Sequence, residues 1–323
     1  MTPKRLAPAL IPLVLAVAAL SHVPAANGDG VTTVIAAVGD MACDPSDQSW
    51  NNGDGTTSGC AQRRTSSAML ADTSVQAVLG LGDYQYDCDD PADYAVSYTP
   101  TWGRLNGVMD PVAGNHEYQT GTDAFGRPCP STNSTAAGYF SYFAHSHPES
   151  RGHFSFDVGS WHIIGLNGNC GSVGGCGASS GQASWLSADL DATTQPCVLA
   201  YWHQPRYTGL GSGGKVAAYK AFWDTLYAHH ADVVLNGHVH NYQRFAALNP
   251  SGAVDRTNGI TQYTVGTGGE KLAALNTSVI PQPVAYAKSF GYLRMKLLSG
   301  GWTAEFVTAA GQVLDPSSGT CHA

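Results

Sequence analysis

Five short segments, each standing where an apolar run stops, constrain this chain more than any other feature. They read Gly39-Asp40, Gly82-Asp83-Tyr84-Gln85-Tyr86, Gly114-Asn115-His116-Glu117, Tyr201-Trp202-His203 and Gly237-His238-Val239-His240. A β-branched apolar run that breaks off at such a segment is the pattern of a buried strand, and residues just past the C-terminal ends of parallel strands are where such sheets carry function. Asp40, Asp83, Tyr86, Asn115, His203, His238 and His240 therefore read together as ligands for two metal ions. Carboxylate, phenolate, amide oxygen and imidazole are hard to borderline donors, which suits Fe, Zn or Mn and not a soft thiolate site. The chemistry to expect is metal-assisted hydrolysis.

The spacing of the apolar runs gives the fold class, α/β. Residues 31–38, 77–81 and 108–113 read as strands leading into the first three segments; 60–71 has helical character and 91–105 is a broken helical stretch. That β-α-β-α-β alternation predicts parallel strands. Residues 154–158 and 161–166 form a hairpin about Gly159-Ser160, 184–190 fits a helix, and 197–202 is a strand delivering His203. Helical periodicity over 216–230 puts Tyr219, Phe222, Trp223 and Tyr227 on one side as core, and 233–235 then delivers His238 and His240. Further strands are predicted at 262–265, 292–298 and 303–308. The glycine-rich stretch 168–181 is a loop inside one domain, since no linker or low-complexity tract divides the chain.

Lys4 and Arg5 precede an apolar run over 7–20, and Val23-Pro24-Ala25-Ala26 offers small residues for cleavage. Residues 1–26 read as a secretory signal peptide with no stable membrane anchor, leaving 27–323 as one catalytic domain. Export, to the extracellular space or periplasm, makes the eight cysteines candidates for disulfides; Cys170 with Cys176 can bridge locally and Cys197 with Cys321 can pin the tail, though pairing does not follow from sequence. Asn133-Ser134-Thr135 and Asn276-Thr277-Ser278 carry the glycosylation pattern. A net charge of -8 with 16 Lys plus Arg leaves no basic stripe for a nucleic-acid polymer. A small phosphorylated substrate, its charge met by metals, fits better.

Taken singly, the segments are weak. Gly-Asp after a strand is more often a turn or a helix cap, whereas Gly-His-Val-His places two imidazoles on one face of an extended segment. Their joint order decides: Asp, Gly-Asp-x-x-Tyr, Gly-Asn-His-Glu, a lone His after a strand, and Gly-His-x-His. That order resembles the calcineurin-like metallophosphoesterases and, within them, the purple acid phosphatases. The tyrosine three residues after Asp83 narrows the choice, as does the stretch from Gly237 through Asn241, Tyr242, Gln243 and Arg244. The likeness spans residues 34–244.

The resemblance implies a four-layer α/β/β/α sandwich with two mixed sheets. It implies Fe(3+) held by Asp40, Tyr86 and His240, a second ion (Zn, Fe or Mn) held by Asn115, His203 and His238, and Asp83 bridging the two. Tyr84 is the rival to Tyr86. His116 would contact phosphate and protonate the leaving alcohol, while the ions activate a water. The implied activity is a secreted phosphatase acting on phosphate monoesters; a phosphodiesterase or nucleotidase using the same centre is the alternative, and a non-catalytic binding protein should have lost ligands or His116. No β-sandwich module of the kind plant relatives carry is expected before Val31.

Two departures stand out. Ala42 replaces the glycine common two residues after the first aspartate, which bears on the local turn. The loop Gln204-Pro205-Arg206-Tyr207-Thr208 lacks the histidines that plant and animal relatives use to contact substrate, so Arg206, Tyr207 and Lys215 become the candidates for that role. Gly209 to Lys215 nearly matches a phosphate-binding P-loop, but Val216 stands where Ser or Thr would hold magnesium, which leaves a flexible rim beside His203. Asp87, Asp89, Asp90 and Asp93 lack the glycine and distal glutamate of a calcium loop and read as solvated surface. His145, His147, His153, His162, His229, His230 and His322 match no motif and default to surface or satisfied core positions.

Overall fold

The apolar runs before the first three segments become β1 (Thr33–Val38), β2 (Ala77–Gly80) and β3 (Met109–Pro111), paired in parallel. The computed structural model describes residues 32–144, 146, 152–209 and 214–322, so the expected leader at 1–26, His145, His147 and most of the P-loop-like stretch lie outside the described residues. Between β1 and β2 runs α1 (Gln62–Ala71), which buries Gln62, Thr65, Ser66 and Met69 at helical spacing. Between β2 and β3 the helical segment is broken as expected, into α2 (Pro91–Asp93), a π turn at Tyr94–Tyr98 and a 3-10 turn at Trp102–Val108. Pro91 starts α2 and the Asp90 carboxylate caps it by accepting the Ala92 N–H.

The chain continues through α3 (Ala137–Tyr142), the hairpin β4 (Phe154–Val158) and β5 (Trp161–Gly165), α4 (Gly181–Ala192), β6 (Cys197–Tyr201), α5 (Lys220–Ala228) and β7 (Val233–Asn236). It closes with β8 (Tyr242–Arg244), β9 (Thr261–Val265), β10 (Ala285–Ala287), β11 (Gly291–Leu298), β12 (Gly301–Thr308) and β13 (Val313–Thr320). One sheet has the order β13-β12-β11-β1-β2-β3 and the other β10-β8-β9-β7-β6-β5-β4. Both are mixed: β11 runs antiparallel to β1, and β5, β6, β7 and β9 are parallel while β4 and β8 are not.

Alternation along the central strands builds the four layers. Ile35, Ala37, Leu79 and Leu81 from one sheet meet Ile163, Leu199, Val233 and Leu235 from the other in the inter-sheet core. Their neighbours Ala36, Val38 and Val78 pack outward with Met69 of α1, Tyr98 and Trp102, while Ile164, Val198 and Val234 pack with Leu186 of α4 and Phe222, Trp223 and Leu226 of α5. Strands covered on both faces have no need of polar residues, hence their uninterrupted apolar runs. Each Val, Leu, Ile, Phe or Met among them contributes about 1.5–3 kcal/mol by leaving water.

All eight cysteines are paired, as Cys43–Cys60, Cys88–Cys129, Cys170–Cys176 and Cys197–Cys321. Asn133 is buried with its amide donating to the Cys88 and Gln119 carbonyls, so that sequon is an interior hydrogen-bonding residue. The acidic stretch also departs from expectation. Asp89 is fully buried and accepts the Tyr139 N–H at 2.9 Å, so it belongs to the interior and not to a solvated surface. Among the described residues, no helix is long and apolar enough to cross a membrane.

Candidate metal centre

The C-terminal ends of β1, β2 and β3 in one sheet and of β6 and β7 in the other meet at one place. The Gly39 N–H donates to Val265 O at 3.0 Å, and His203 Nδ1 donates to Leu81 O at 2.7 Å, so each sheet holds the other's loops. Gly82 has φ +88°, and a Cβ there would lie 2.7 Å from both the Gly114 Cα and the His203 Nδ1. Asp40, Asp83 and His238 also take left-handed φ values of 59°, 54° and 67°. Such backbone costs on the order of 1–3 kcal/mol per residue and persists where surrounding structure over-determines it.

Past β1 and β2 the two chains run on side by side. Asp40, Met41 and Ala42 donate to the carbonyls of Gly82, Asp83 and Tyr84 at 3.0, 2.8 and 3.1 Å, and Tyr86 donates back to Ala42 O at 2.8 Å. Ala42 therefore sits in an extended ladder, buried among the helix-side core, and makes no turn. The pairing is not that of a regular strand, in which Tyr84 and Tyr86, two residues apart, would share a face. Tyr84 enters that core and bonds Val112 O at 3.1 Å, whereas Tyr86 enters the cleft. The rival tyrosine is thus outside the cluster.

Two donor sets share one carboxylate oxygen. Tyr86 Oη lies 2.9 Å from both Asp40 Oδ1 and Asp83 Oδ2 and 3.0 Å from His240 Nε2, which is 3.1 Å from Asp40 Oδ1. On the other side His203 Nε2 lies 3.0 Å from Asp83 Oδ2 and 3.1 Å from Asn115 Oδ1, and the His238 ring faces the His203 ring at 5.1 Å. Ligand atoms of Asp83, His203 and His238 fall within 4.8 Å of one another. Asp83 Oδ1 is taken by the His116 N–H at 2.9 Å, leaving Oδ2 to face both sets. His203 and His240 each commit Nδ1 to a backbone carbonyl, Leu81 O and Lys271 O, which turns both Nε2 atoms inward.

The donor set fits cations. One phenolic hydrogen on Tyr86 faces two carboxylate oxygens and a ring nitrogen, so the negative charge gathered there exceeds what its own hydrogen can satisfy. Burial followed by Asp40 and Asp83 pushes the Tyr86 phenol well above its usual range. Burial works against charge on His203 and His240, yet Asp83 and Asp40 respectively raise them to about 9. Burial and the facing His203 ring lower His238 to about 4. Burial would raise Asp83, but His203 and His116 hold it well below the usual carboxylate range.

His116 is beside the cluster without belonging to it. Its ring packs on Tyr86 at 4.2 Å, Nδ1 donates to Asp87 O at 2.5 Å, and Nε2 stays 4.0 Å from Asp83 Oδ2. Sequence reasoning assigned no role to Glu117, although it ends the Gly-Asn-His-Glu segment; it is fully buried and bonded to three backbone amides. It also passed over residues 268–273, where Gly268 and Glu270 donate to the Gly39 and Asp40 carbonyls, Lys271 O anchors His240, and Ala273 donates to His240 O.

The three substrate-contact candidates are not brought to the cluster. Tyr207 is fully buried against Trp223, its hydroxyl bonded to the Asn249 and Pro250 carbonyls at 3.0 Å. Arg206 lies over the Tyr207 ring and donates to Val216 O, and Lys215 donates to Ser251 O at 2.6 Å. Tyr207 and Lys215 are tied to Trp223 of α5 and to the 249–251 carbonyls, while the buried Arg206 Nε is left without a hydrogen-bond partner among the described residues.

The family model of the calcineurin-like phosphoesterases matches residues 33–242, a span holding all seven donors and His116. The chain belongs to that family. Among curated relatives, purple acid phosphatase 22 of Arabidopsis thaliana is 30% identical over 64% of this chain and 50% of its own length. Acid phosphatase A of Cryphonectria parasitica is 29% identical over 51% of this chain and 38% of its own length. The chain thus spans about half the length, or less, of these relatives. A purple acid phosphatase from yellow lupin (Lupinus luteus) seeds has the same fold, with a TM-score of 0.71 at 17% identity over 91% of this chain and 55% of that one; PhoD follows with 0.57 at 12%, over 91% and 69%. The calcineurin-like phosphoesterase fold accounts for the two mixed sheets and for the convergence of their strand ends.

Proposed function

We propose that this chain is an exported phosphatase that hydrolyses phosphate monoesters at a binuclear centre. Asp40, Tyr86 and His240 would hold Fe(3+); Asn115, His203 and His238 would hold a second ion, Zn, Fe or Mn; Asp83 would serve both. Such a pair of ions supplies charge neutralisation for an in-line displacement and acidifies water. Four disulfides and curated relatives that are acid phosphatases support export and a phosphate ester as substrate.

The observation that carries the reading is His116. Its Nδ1–H is spent on Asp87 O, so Nε2 is the nitrogen that exchanges a proton, and that atom lies at the rim of the cluster where an ester oxygen would leave. Asn115 and His116 are adjacent, so one strand-end loop orients a ligand and the proton donor together. His116→Ala should retain metal and lose roughly 10²-fold or more in turnover on esters with poor leaving groups, with a distinctly smaller loss on an activated phenol ester. A uniform loss would make His116 a phosphate contact; loss of metal would make it part of the ligand frame. Running matched mono- and diesters in the same assay separates a phosphomonoesterase from a phosphodiesterase.

A further inference from the structure

We propose that Glu117 is a positioning residue for the metal centre: its buried carboxylate locks the loop that carries the bridging ligand Asp83 to the loop that carries Asn115. This rests on the binuclear reading of the centre. Glu117 Oε2 accepts the Asp83 N–H at 3.0 Å and the Gly114 N–H at 2.5 Å, and Oε1 accepts the Tyr84 N–H at 2.7 Å. Two of these amides lie just past β2 and the third just past β3, so a single side chain closes the gap between two strand ends. The closure is reciprocal. The His116 N–H, one residue before Glu117, returns to Asp83 Oδ1 at 2.9 Å.

Asp83 is thereby held at both ends from one short turn, by its amide through Glu117 and by its carboxylate through His116. That matters because its backbone is left-handed, with φ 54°, and its amide takes the Glu117 side chain as acceptor. Without Glu117 three buried N–H groups lose their acceptor. With it, Oδ2 is the only Asp83 oxygen free to face the donor sets. Gly114 makes the approach possible, since a Cβ there would lie 2.2 Å from Asp83 Oδ1. A neutral amide cannot substitute fully: glutamine offers one accepting oxygen where the three N–H groups use two, and its NH2 would confront a donor.

The test uses metal-free full-length protein titrated with Zn2+, for wild type and Glu117→Gln, with the melting temperature recorded before and after metal. The expected result is a 10–100-fold weaker Zn2+ affinity in the variant, the range seen when groups that orient ligands are removed, together with a smaller Zn2+-induced rise in melting temperature. A carboxylate that only supports the fold would lower both melting temperatures equally and leave Zn2+ affinity unchanged, which overturns the proposal. Should Glu117→Gln not fold, amide exchange on wild type decides. The Asp83, Tyr84 and Gly114 N–H groups should be protected and should slow together when Zn2+ is added; independent exchange of the three overturns it. If wild type itself binds no Zn2+, the metal-centre reading falls and this proposal with it, an outcome distinguished from the others because it is seen without any substitution.

Discussion

The two donor sets of the centre share Asp83 and differ in how their charge is balanced. On the Tyr86 side a phenol, Asp40 and Asp83 crowd together, and His240 is pulled up to about 9 in spite of burial because Asp40 lies 3.1 Å away. On the other side His238 is held down to about 4 by burial and by the facing His203 ring. These two histidines are two residues apart on the bend that follows β7, where the left-handed His238 replaces the extended backbone the sequence suggested. Neighbours, not chain position, set the difference: burial lowers both, Asp40 then raises His240, and the His203 ring lowers His238 further. The anchors differ too: His203 is oriented by Leu81 at the end of β2, His240 by Lys271 in the segment after β9.

The largest break in that comparison comes from Asp83→Asn, because Asp83 Oδ2 lies 2.9 Å from Tyr86 Oη in one set and 3.0 Å from His203 Nε2 in the other. Metal affinity at both sites should fall by more than the 10–100-fold cost of losing a supporting group, and activity should go with it. Metal analysis of the variant checks this; full occupancy with normal turnover would remove Asp83 from the bridging role.

Tyr86→Phe should act on one side alone. It deletes the oxygen that meets Asp40, Asp83 and His240 and should abolish any visible absorption band in the iron-loaded protein while the fold persists. Tyr84→Phe should keep the band and cost about 0.5–1.5 kcal/mol of stability for the lost bond to Val112 O. Colour lost in the second variant and kept in the first would reverse the assignment.

Much of this was legible in the sequence because parallel strands buried on both faces leave uninterrupted apolar runs, and the polar residues just past each run then stand out as motifs. Alternation does not separate Tyr86 from Tyr84, since residues two apart share a face of a regular strand; the three-residue spacing from Asp83, carried by the family resemblance, does. What stayed hidden depended on burial by distant segments. Tyr207 looked available beside His203 until α5 and the 249–252 turn covered it, and Asp89 looked solvated until α3 lay over it. β13 contains Pro316 and Gly319 and alternates exposed with half-buried residues, so it carries no core-strand pattern. β8 was hidden inside a segment read for its ligands, and β10 is only Ala285–Ala287. Glu117 gave the opposite difficulty: it was in plain sight, but three amide partners on two loops cannot be read from one chain position.

The smallest effect uses a histidine remote from the centre as a control for proton balance. His162 Nδ1 and Nε2 lie 2.7 and 2.8 Å from Asp157 and Asp189 carboxylates, and although burial opposes it, these bonds raise the ring above its usual 6.5. Satisfying both carboxylates requires both N–H groups, so the protonated ring is the stabilising form. The advantage of wild type over His162→Gln should be present below pH 6.5 and fade as pH rises through the raised folded value. In strong acid it should fade again as Asp189, which His162 holds below its usual range against the opposing effect of burial, takes up its proton. Thermal melts of both proteins from pH 4 to pH 9, with and without metal, check this. A gap that grows toward alkaline pH would contradict the ion triad.

The most direct test of the centre itself is metal analysis combined with a visible absorption spectrum on the purified protein. The account predicts two metal ions per chain, at least one of them iron, and an intense tyrosinate-to-iron band that disappears in Tyr86→Phe. A single ion per chain, or an iron-loaded protein without that band, would contradict it.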